Sequence, residues 1–73
     1  MMTIEKQLGM RIRYLRKQKN LSIEDLSLEA NINKNYLSDL ERGTRNPTLK
    51  ILAKLAYSLD ISLEELLKGI QEF

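Results

Sequence analysis

The sequence predicts an all-α fold, a compact domain of five short helices. Apolar residues recur at intervals of three or four positions along the whole chain, which is the spacing of one helix face. No segment shows the sustained alternation of apolar and polar residues that is typical of a strand. Polar residues suited to capping a helix precede the apolar segments. With 73 residues, the chain has room for a single domain over residues 1–73.

The first two helices are predicted over residues 3–19 and 22–30. The apolar face of helix one consists of Ile4, Leu8, Ile12 and Leu15. We expect this helix to end near Asn20, because asparagine tolerates the left-handed backbone conformation that commonly closes a helix. Ser22 is the predicted N-cap of helix two, and Asp25, three residues later, is its partner in a capping box.

The other three helices are predicted over residues 33–42, 48–59 and 62–70. Their predicted N-caps are Asn33, Thr48 and Ser62. We expect Gly43 to end helix three, because glycine adopts the left-handed conformation without strain. Glu65 stands three residues after Ser62, so these two residues are predicted to form a second capping box.

The link between helices two and three consists of only Asn31 and Ile32. So short a link does not let the two helices pack as an antiparallel hairpin. It is typical of the helix-turn-helix, in which two helices cross at about 90–120°. The residues expected to meet inside this bend are Leu26, Ala30, Ile32, Leu37 and Leu40.

Composition argues against several functional classes. The chain has no cysteine and no histidine, so it lacks disulfides, thiolate metal sites, and the commonest general base and metal ligand. We therefore expect no catalytic residue, no metal, no cofactor and no small-molecule ligand; the protein is not predicted to be an enzyme. No apolar run approaches the ~18–20 residues of a membrane span, and no signal-peptide pattern opens the chain. A cytoplasmic protein without a membrane partner is expected.

Charge is segregated along the chain, although the net charge is only +2. Residues 1–20 carry six basic groups and one acidic group, and residues 42–54 carry four basic groups and no acidic one. The segments 21–41 and 55–73 carry an excess of acidic groups. Whether the fold brings the two basic blocks onto one face therefore decides which kind of partner the protein attracts.

Three elements of the sequence are typical of one known family. They are the E-R-G run Glu41–Gly43, the N-P pair Asn46–Pro47, and the Leu–Ala–Leu series of helix four. Together with their surroundings they resemble the helix-turn-helix domain of phage Cro and repressor proteins, the XRE family. The resemblance covers about residues 8–67 and implies a lambda-repressor-like fold. In size the chain is similar to the controller proteins of restriction–modification systems. It departs from the family at Ser27, where alanine is usual, and at Asn31, where glycine is usual.

The resemblance implies a sequence-specific transcription regulator, such as a repressor, that acts as a homodimer on a pseudo-palindromic double-stranded DNA operator. Helix 33–42 would lie in the major groove. Once Leu37 and Leu40 point inward, the outward residues that could read bases are Lys34, Asn35, Ser38 and Asp39. For Asp39, contact with a cytosine amino group and a place just outside the groove both remain open. Phosphate contacts are expected from Arg11, Arg13, Ser22, Asn33, Tyr36, Arg42, Arg45 and Lys50.

Two further sets of residues have expected structural roles. Arg16 and Glu41 match the family positions that form an ion pair between helices one and three, and this pair would orient the recognition helix. The last helix, 62–70, has more apolar residues than one small core needs, and an uncovered apolar patch usually marks an interface. The expected homodimer interface consists of Leu63, Leu67, Ile70 and Phe73.

Two other functions remain open. An antitoxin that autoregulates its operon would have a toxin as partner, and an adjacent reading frame of toxin size would favour it. A protein-interaction helix module would fail to bind any DNA duplex. RNA polymerase is a further candidate partner if the protein is an activator. The side chains that could contact it are Glu24, Asp25 and Glu29 of helix two, which otherwise form an ordinary solvated face.

Overall fold

The computed structural model describes residues 2–72 and confirms the all-helical fold. The helices in that span are α1 (Ile4–Gln18), α2 (Ile23–Ala30), α3 (Lys34–Arg42), α4 (Leu49–Ser58) and α5 (Leu63–Leu66). The described residues contain no strand. None of the helices in this part of the chain is long and apolar enough to cross a membrane. Phe73, which was expected in the dimer interface, lies outside the described residues.

Each of these helices begins after a polar side chain that accepts a hydrogen bond from a backbone N–H of the first turn. The caps are Thr3, Ser22, Asn33, Thr48 and Ser62. Ser22 and Asp25 form the predicted capping box, with N–O distances of 2.9 and 3.0 Å. The backbone N–H of Ser22 lowers the pKa of Asp25 below its usual range, because it stabilises the carboxylate form.

The core draws on all five helices, which fixes their relative positions in so small a molecule. The largest fully buried side chains are Ile12, Leu26, Leu37, Leu40, Leu55, Leu59 and Leu66. They recur at the helical spacing of the sequence, so the apolar stripe of each helix faces the common centre. Burial of these side chains is the main stabilising contribution to the domain.

The turn between α2 and α3 has the tight geometry predicted from its length. Asn31 takes the left-handed conformation with φ of 54°, and its backbone N–H donates to the carbonyl groups of Ser27 and Leu28. The N–H of Ile32 also donates to the Ser27 carbonyl at 3.0 Å, which closes the end of α2. The side chain of Ile32 is half-buried against the core. Asparagine thus fills the position at which glycine is usual, because it tolerates this backbone conformation.

Close contact between α1 and α3 depends on Gly9. A Cβ atom at this position would lie 2.5 Å from the carbonyl oxygens of both Leu40 and Glu41. Any larger side chain would therefore push α1 away from the C-terminal half of α3. Glycine costs helix stability in general, and here its missing side chain allows the approach.

The C-terminal helix is shorter than predicted. The sequence predicts a helix over residues 62–70, whereas α5 ends at Leu66 and the chain then turns, with Gly69 at φ of 81°. The apolar spacing continues to Ile70, which packs on the core from the segment after this turn. The chain next returns to α1, where Gln7 donates to the Gln71 carbonyl at 2.9 Å and accepts from the Gln71 N–H at 3.0 Å.

The capping box predicted at Ser62 is only half formed. The side chain of Ser62 accepts from the backbone N–H of Glu65 at 3.0 Å. The carboxylate of Glu65, however, binds Arg11 of α1 at 2.7 Å. A charged partner across the fold has displaced the weaker contact with a backbone N–H.

Candidate nucleic-acid interface

The outward face of α3 is polar and begins with two exposed side chains. Leu37 and Leu40 are buried in the core, so the intervening positions of the helix face away from it. Lys34 and Asn35, in the first turn, are both exposed. Lys34 offers the three donors of an ammonium group, and Asn35 offers both a donor pair and an acceptor. These side chains are available to a ligand that approaches the N-terminal half of α3.

The first turn of α3 is held by Asn33. Its Oδ1 atom accepts from the backbone N–H of Tyr36 at 3.0 Å. The neighbouring N–H groups of the turn have no partner within the helix, as at every helix N-terminus. Together with the helix dipole they favour an anionic group at this end.

The C-terminal half of the same face carries a charged cluster. Asp39 contacts the guanidinium groups of Arg42 and Arg45, and Arg42 also donates to the Ser38 hydroxyl at 3.0 Å. The guanidinium of Arg45 lies over the Tyr36 ring, 5.5 Å from its centre. These five side chains were expected to contact bases or phosphates separately, and the structure brings them together.

A buried ion pair ties α3 to α1. Arg16 Nε lies 2.7 Å from Glu41 Oε2, and Arg16 Nη2 lies 2.9 Å from Glu41 Oε1, so the contact is bidentate. The side chains are 8% and 5% exposed. Arg16 also donates to the Leu21 carbonyl at 2.8 Å, so the same guanidinium contacts the turn before α2. The hydrogen bonds that Arg16 donates to Glu41 raise the pKa of Arg16, because they stabilise the charged guanidinium.

The structure divides the first basic block among different environments. Arg16 faces Glu41, and Arg11 faces α5, where it donates to both the carbonyl and the carboxylate of Glu65 at 2.7 Å. Only 17% of the Arg11 side chain is exposed. Arg13 is exposed, as is Lys50 at the start of α4. Arg11 thus has an intramolecular contact that was not predictable from local sequence, since its partner lies 54 residues away.

The residues expected at a dimer interface are partly covered by their own domain. Leu63 and Ile70 are half-buried against the core, and Leu67 is 36% exposed. Leu67 and Ile70 line an apolar groove of about 280 Å³. Its other apolar walls are Ile4, Leu8, Pro47 and Leu52. The contribution of α1 to this groove was missed, because Ile4 and Leu8 were assigned to the core alone.

Comparison with known proteins identifies the family. The helix-turn-helix family HTH_3 matches residues 12–66. The chain is 43% identical over 61 residues to the HTH-type transcriptional regulator DdrOP3 of Deinococcus deserti, which covers 84% of this chain and 47% of DdrOP3. The chain therefore spans about half the length of that relative.

Two solved structures share the fold. The restriction–modification controller protein C.AhdI from Aeromonas hydrophila superposes with a TM-score of 0.83 at 40% identity, covering 85% of this chain and 94% of C.AhdI. SinR, a master regulator for biofilm formation solved in complex with DNA, superposes with a TM-score of 0.79 at 39% identity, covering 84% and 98%. The recognised family is a class of regulators and not of enzymes. The chain belongs to the XRE-type helix-turn-helix family of DNA-binding transcriptional regulators.

Proposed function

We propose that this protein binds a pseudo-palindromic operator as a homodimer, with α3 in the major groove of each half-site. One observation carries the proposal: the exposed polar face of α3 stands on a helix whose orientation the buried Arg16–Glu41 pair fixes. A rigid helix with an outward polar face is what base reading requires. The related SinR was solved in complex with DNA, which supports the same use of this fold.

The N-terminal half of α3 is the proposed base-reading segment. Lys34 can donate to guanine O6 and N7, and Asn35 can form two hydrogen bonds with adenine N6 and N7. Ser38, one turn later and half-buried, can donate to or accept from a base edge. The three groups are polar, and Lys34 and Asn35 are exposed, so they are available to base edges in the groove.

Residues around this segment are proposed to bind phosphates. Charged contacts would come from exposed basic side chains, and helix N-termini would supply backbone N–H groups. The set is Arg13, Ser22, Asn33, Tyr36, Arg42, Arg45 and Lys50. Arg11 would join them only by giving up its contacts with Glu65. Phosphate contacts position the protein on any duplex and carry no base preference by themselves.

The apolar groove beside α5 is the proposed homodimer interface. It exposes apolar walls from α1, α4 and the turn after α5, including Leu67 and Ile70. A domain of this size buries a smaller fraction of its surface on folding than a larger domain does, so pairing through such a groove would add stability. Two-fold pairing would also place two copies of α3 for half-sites ~34–36 Å apart or a multiple of that distance.

The test is selection of bound sites from random duplex DNA, followed by footprinting of the selected site. We expect a recurring sequence with two inverted half-sites and protection on one face of the duplex. Enrichment of no sequence above a scrambled duplex, or of single half-sites without an inverted partner, would contradict the proposal. The first result would remove sequence-specific binding, and the second would remove the homodimer.

A further inference from the structure

Asp39 lies on the proposed DNA-binding face, where a free carboxylate would repel phosphate. In the structure neither of its oxygens is free. Oδ1 contacts Arg42 Nη2, and Oδ2 lies 3.3 Å from Arg45 Nε. The side chain is 24% exposed, and a cytosine amino group would have to share oxygens that already accept from the two arginines. Its negative charge is offset by two positive ones.

Each arginine of the pair has a second contact that restricts its orientation. Arg42 donates through Nη1 to the Ser38 hydroxyl at 3.0 Å, and Arg45 packs over the Tyr36 ring. The loop itself is also attached to Asp39, because the N–H and the hydroxyl of Thr44 both donate to its carbonyl at 3.1 Å. Asp39 is therefore the residue that the two guanidinium groups and the loop after α3 have in common.

The arginines keep donors for a ligand. A guanidinium has five N–H donors, of which Arg42 uses two in these contacts and Arg45 uses one. The two side chains are 64% and 54% exposed. A guanidinium held in advance loses less conformational freedom when it binds a phosphate or a guanine than a mobile one does.

We propose that Asp39 is a positioning residue, which acts on DNA through Arg42 and Arg45 and does not itself read a base. The inference rests on the proposed function, since it concerns how the same surface gains its preference for the operator. For operator affinity, a positioning role of Asp39 predicts an effect of substitution opposite to the effect expected from its charge alone. Asp39→Asn removes a negative charge near DNA, and charge alone would tighten binding to every duplex.

The first experiment measures binding of Asp39→Asn to the selected operator and to a scrambled duplex, with titrations over a series of salt concentrations. We expect affinity for the operator to fall about tenfold, within the range that one bidentate contact supplies, while affinity for the scrambled duplex is unchanged or rises. Glu29→Gln is the matched control, because it removes the same charge from an exposed position on α2. Asp39→Glu, which keeps the carboxylate, should restore part of the operator affinity. Equal or tighter operator binding by Asp39→Asn would overturn the inference.

The second experiment separates positioning from base reading. In an Arg42→Ala/Arg45→Ala background, Asp39→Asn should no longer weaken operator binding, because the groups it acts through are gone and only the removal of a repulsive charge remains. A base-reading Asp39 would keep its effect in that background, with the loss confined to one base pair in each half-site. That outcome would overturn the inference and leave the proposed function intact. If the unmodified protein does not prefer the selected operator to the scrambled duplex, both proposals fail.

Discussion

The ion pair Arg16–Glu41 is nearly inaccessible to water, and this burial decides how much stability is lost when one partner is removed. Glu41→Ala would leave the Arg16 guanidinium buried with only the Leu21 carbonyl as partner. Breaking a buried pair from one side typically costs ~3–5 kcal/mol, whereas an exposed pair contributes under ~1 kcal/mol. We expect Glu41→Ala to lower the melting temperature clearly. Glu29→Ala, at an exposed position of α2, is the control and should leave it nearly unchanged.

A double variant tests whether the cost comes from the stranded charge. Arg16→Met/Glu41→Leu replaces both partners with apolar side chains of similar length, and it should recover much of the stability that Glu41→Ala loses. An unchanged melting temperature in Glu41→Ala would show that the pair does not stabilise the fold.

Asn35 and Arg13 allow base contacts to be separated from phosphate contacts. Asn35→Ala changes no charge, so its effect on binding to a scrambled duplex should be small. On the operator it should cost ~1–3 kcal/mol and relax the preference at one base pair in each half-site. Lys34→Ala should relax a second position, with some loss on all DNA because a charge is removed.

Arg13→Ala is the matched phosphate variant. It should weaken binding to operator and scrambled duplex alike and reduce the salt slope by about one unit. The measurement is a titration of each variant with both duplexes across a salt series. Equal losses on the two duplexes for Asn35→Ala would show that this part of α3 does not read bases.

At the scale of elements, the crossing of α1 and α3 depends on a missing side chain. In an ordinary helix, Gly→Ala stabilises by ~1 kcal/mol. Gly9→Ala should do the opposite, because the new Cβ would lie 2.5 Å from two backbone carbonyl oxygens of α3. Overpacking of this kind typically costs ~1–3 kcal/mol. We also expect weaker operator binding, since the displaced helix is the one proposed to enter the groove.

The control for this prediction lies on the same helix. Met10→Ala changes an exposed neighbour of Gly9 and should leave both melting temperature and DNA affinity close to those of the unmodified protein. If Gly9→Ala were more stable than the unmodified protein, the close approach of α1 and α3 would not exist in solution.

Short-range sequence signals predicted most of the helix boundaries. The caps at Ser22, Asn33 and Thr48 and the left-handed residues Asn20 and Gly43 each depend on residues within a few positions, so the local sequence was sufficient to predict them. The predicted end of α5 was wrong, because the apolar spacing continues beyond the helix to Ile70, which packs on the core without being helical.

Contacts between side chains that are far apart in the sequence were not predictable in the same way. The carboxylate of Glu65 had a suitable local partner in the backbone N–H of the cap residue Ser62. Only the packing of α5 against α1 shows that Arg11 is close enough to take its place. The Asp39–Arg42 contact is different, because its spacing of three residues on one helix is itself a sequence signal. The assignment of both residues to DNA left that signal unused.

At the scale of the whole molecule, DNA binding and self-association are expected to be linked. The proposed interface includes Leu67, which is 36% exposed at the edge of the apolar groove. Leu67→Glu would place a charge in that groove, where pairing would strip it of water. Because the side chain is at the surface of the single domain, the variant should still fold. We expect this variant to be monomeric at tens of micromolar, and the unmodified protein to be dimeric at the same concentration.

Light scattering and operator titration together test this link. Two monomers of Leu67→Glu would have to bind the two half-sites independently. Operator binding should therefore weaken strongly and become steeply dependent on protein concentration. Leu28→Glu is the control, because it adds the same charge at an exposed leucine of α2 outside the groove. It should stay dimeric. A monomeric unmodified protein, or a dimeric Leu67→Glu with full operator affinity, would move the interface away from this groove.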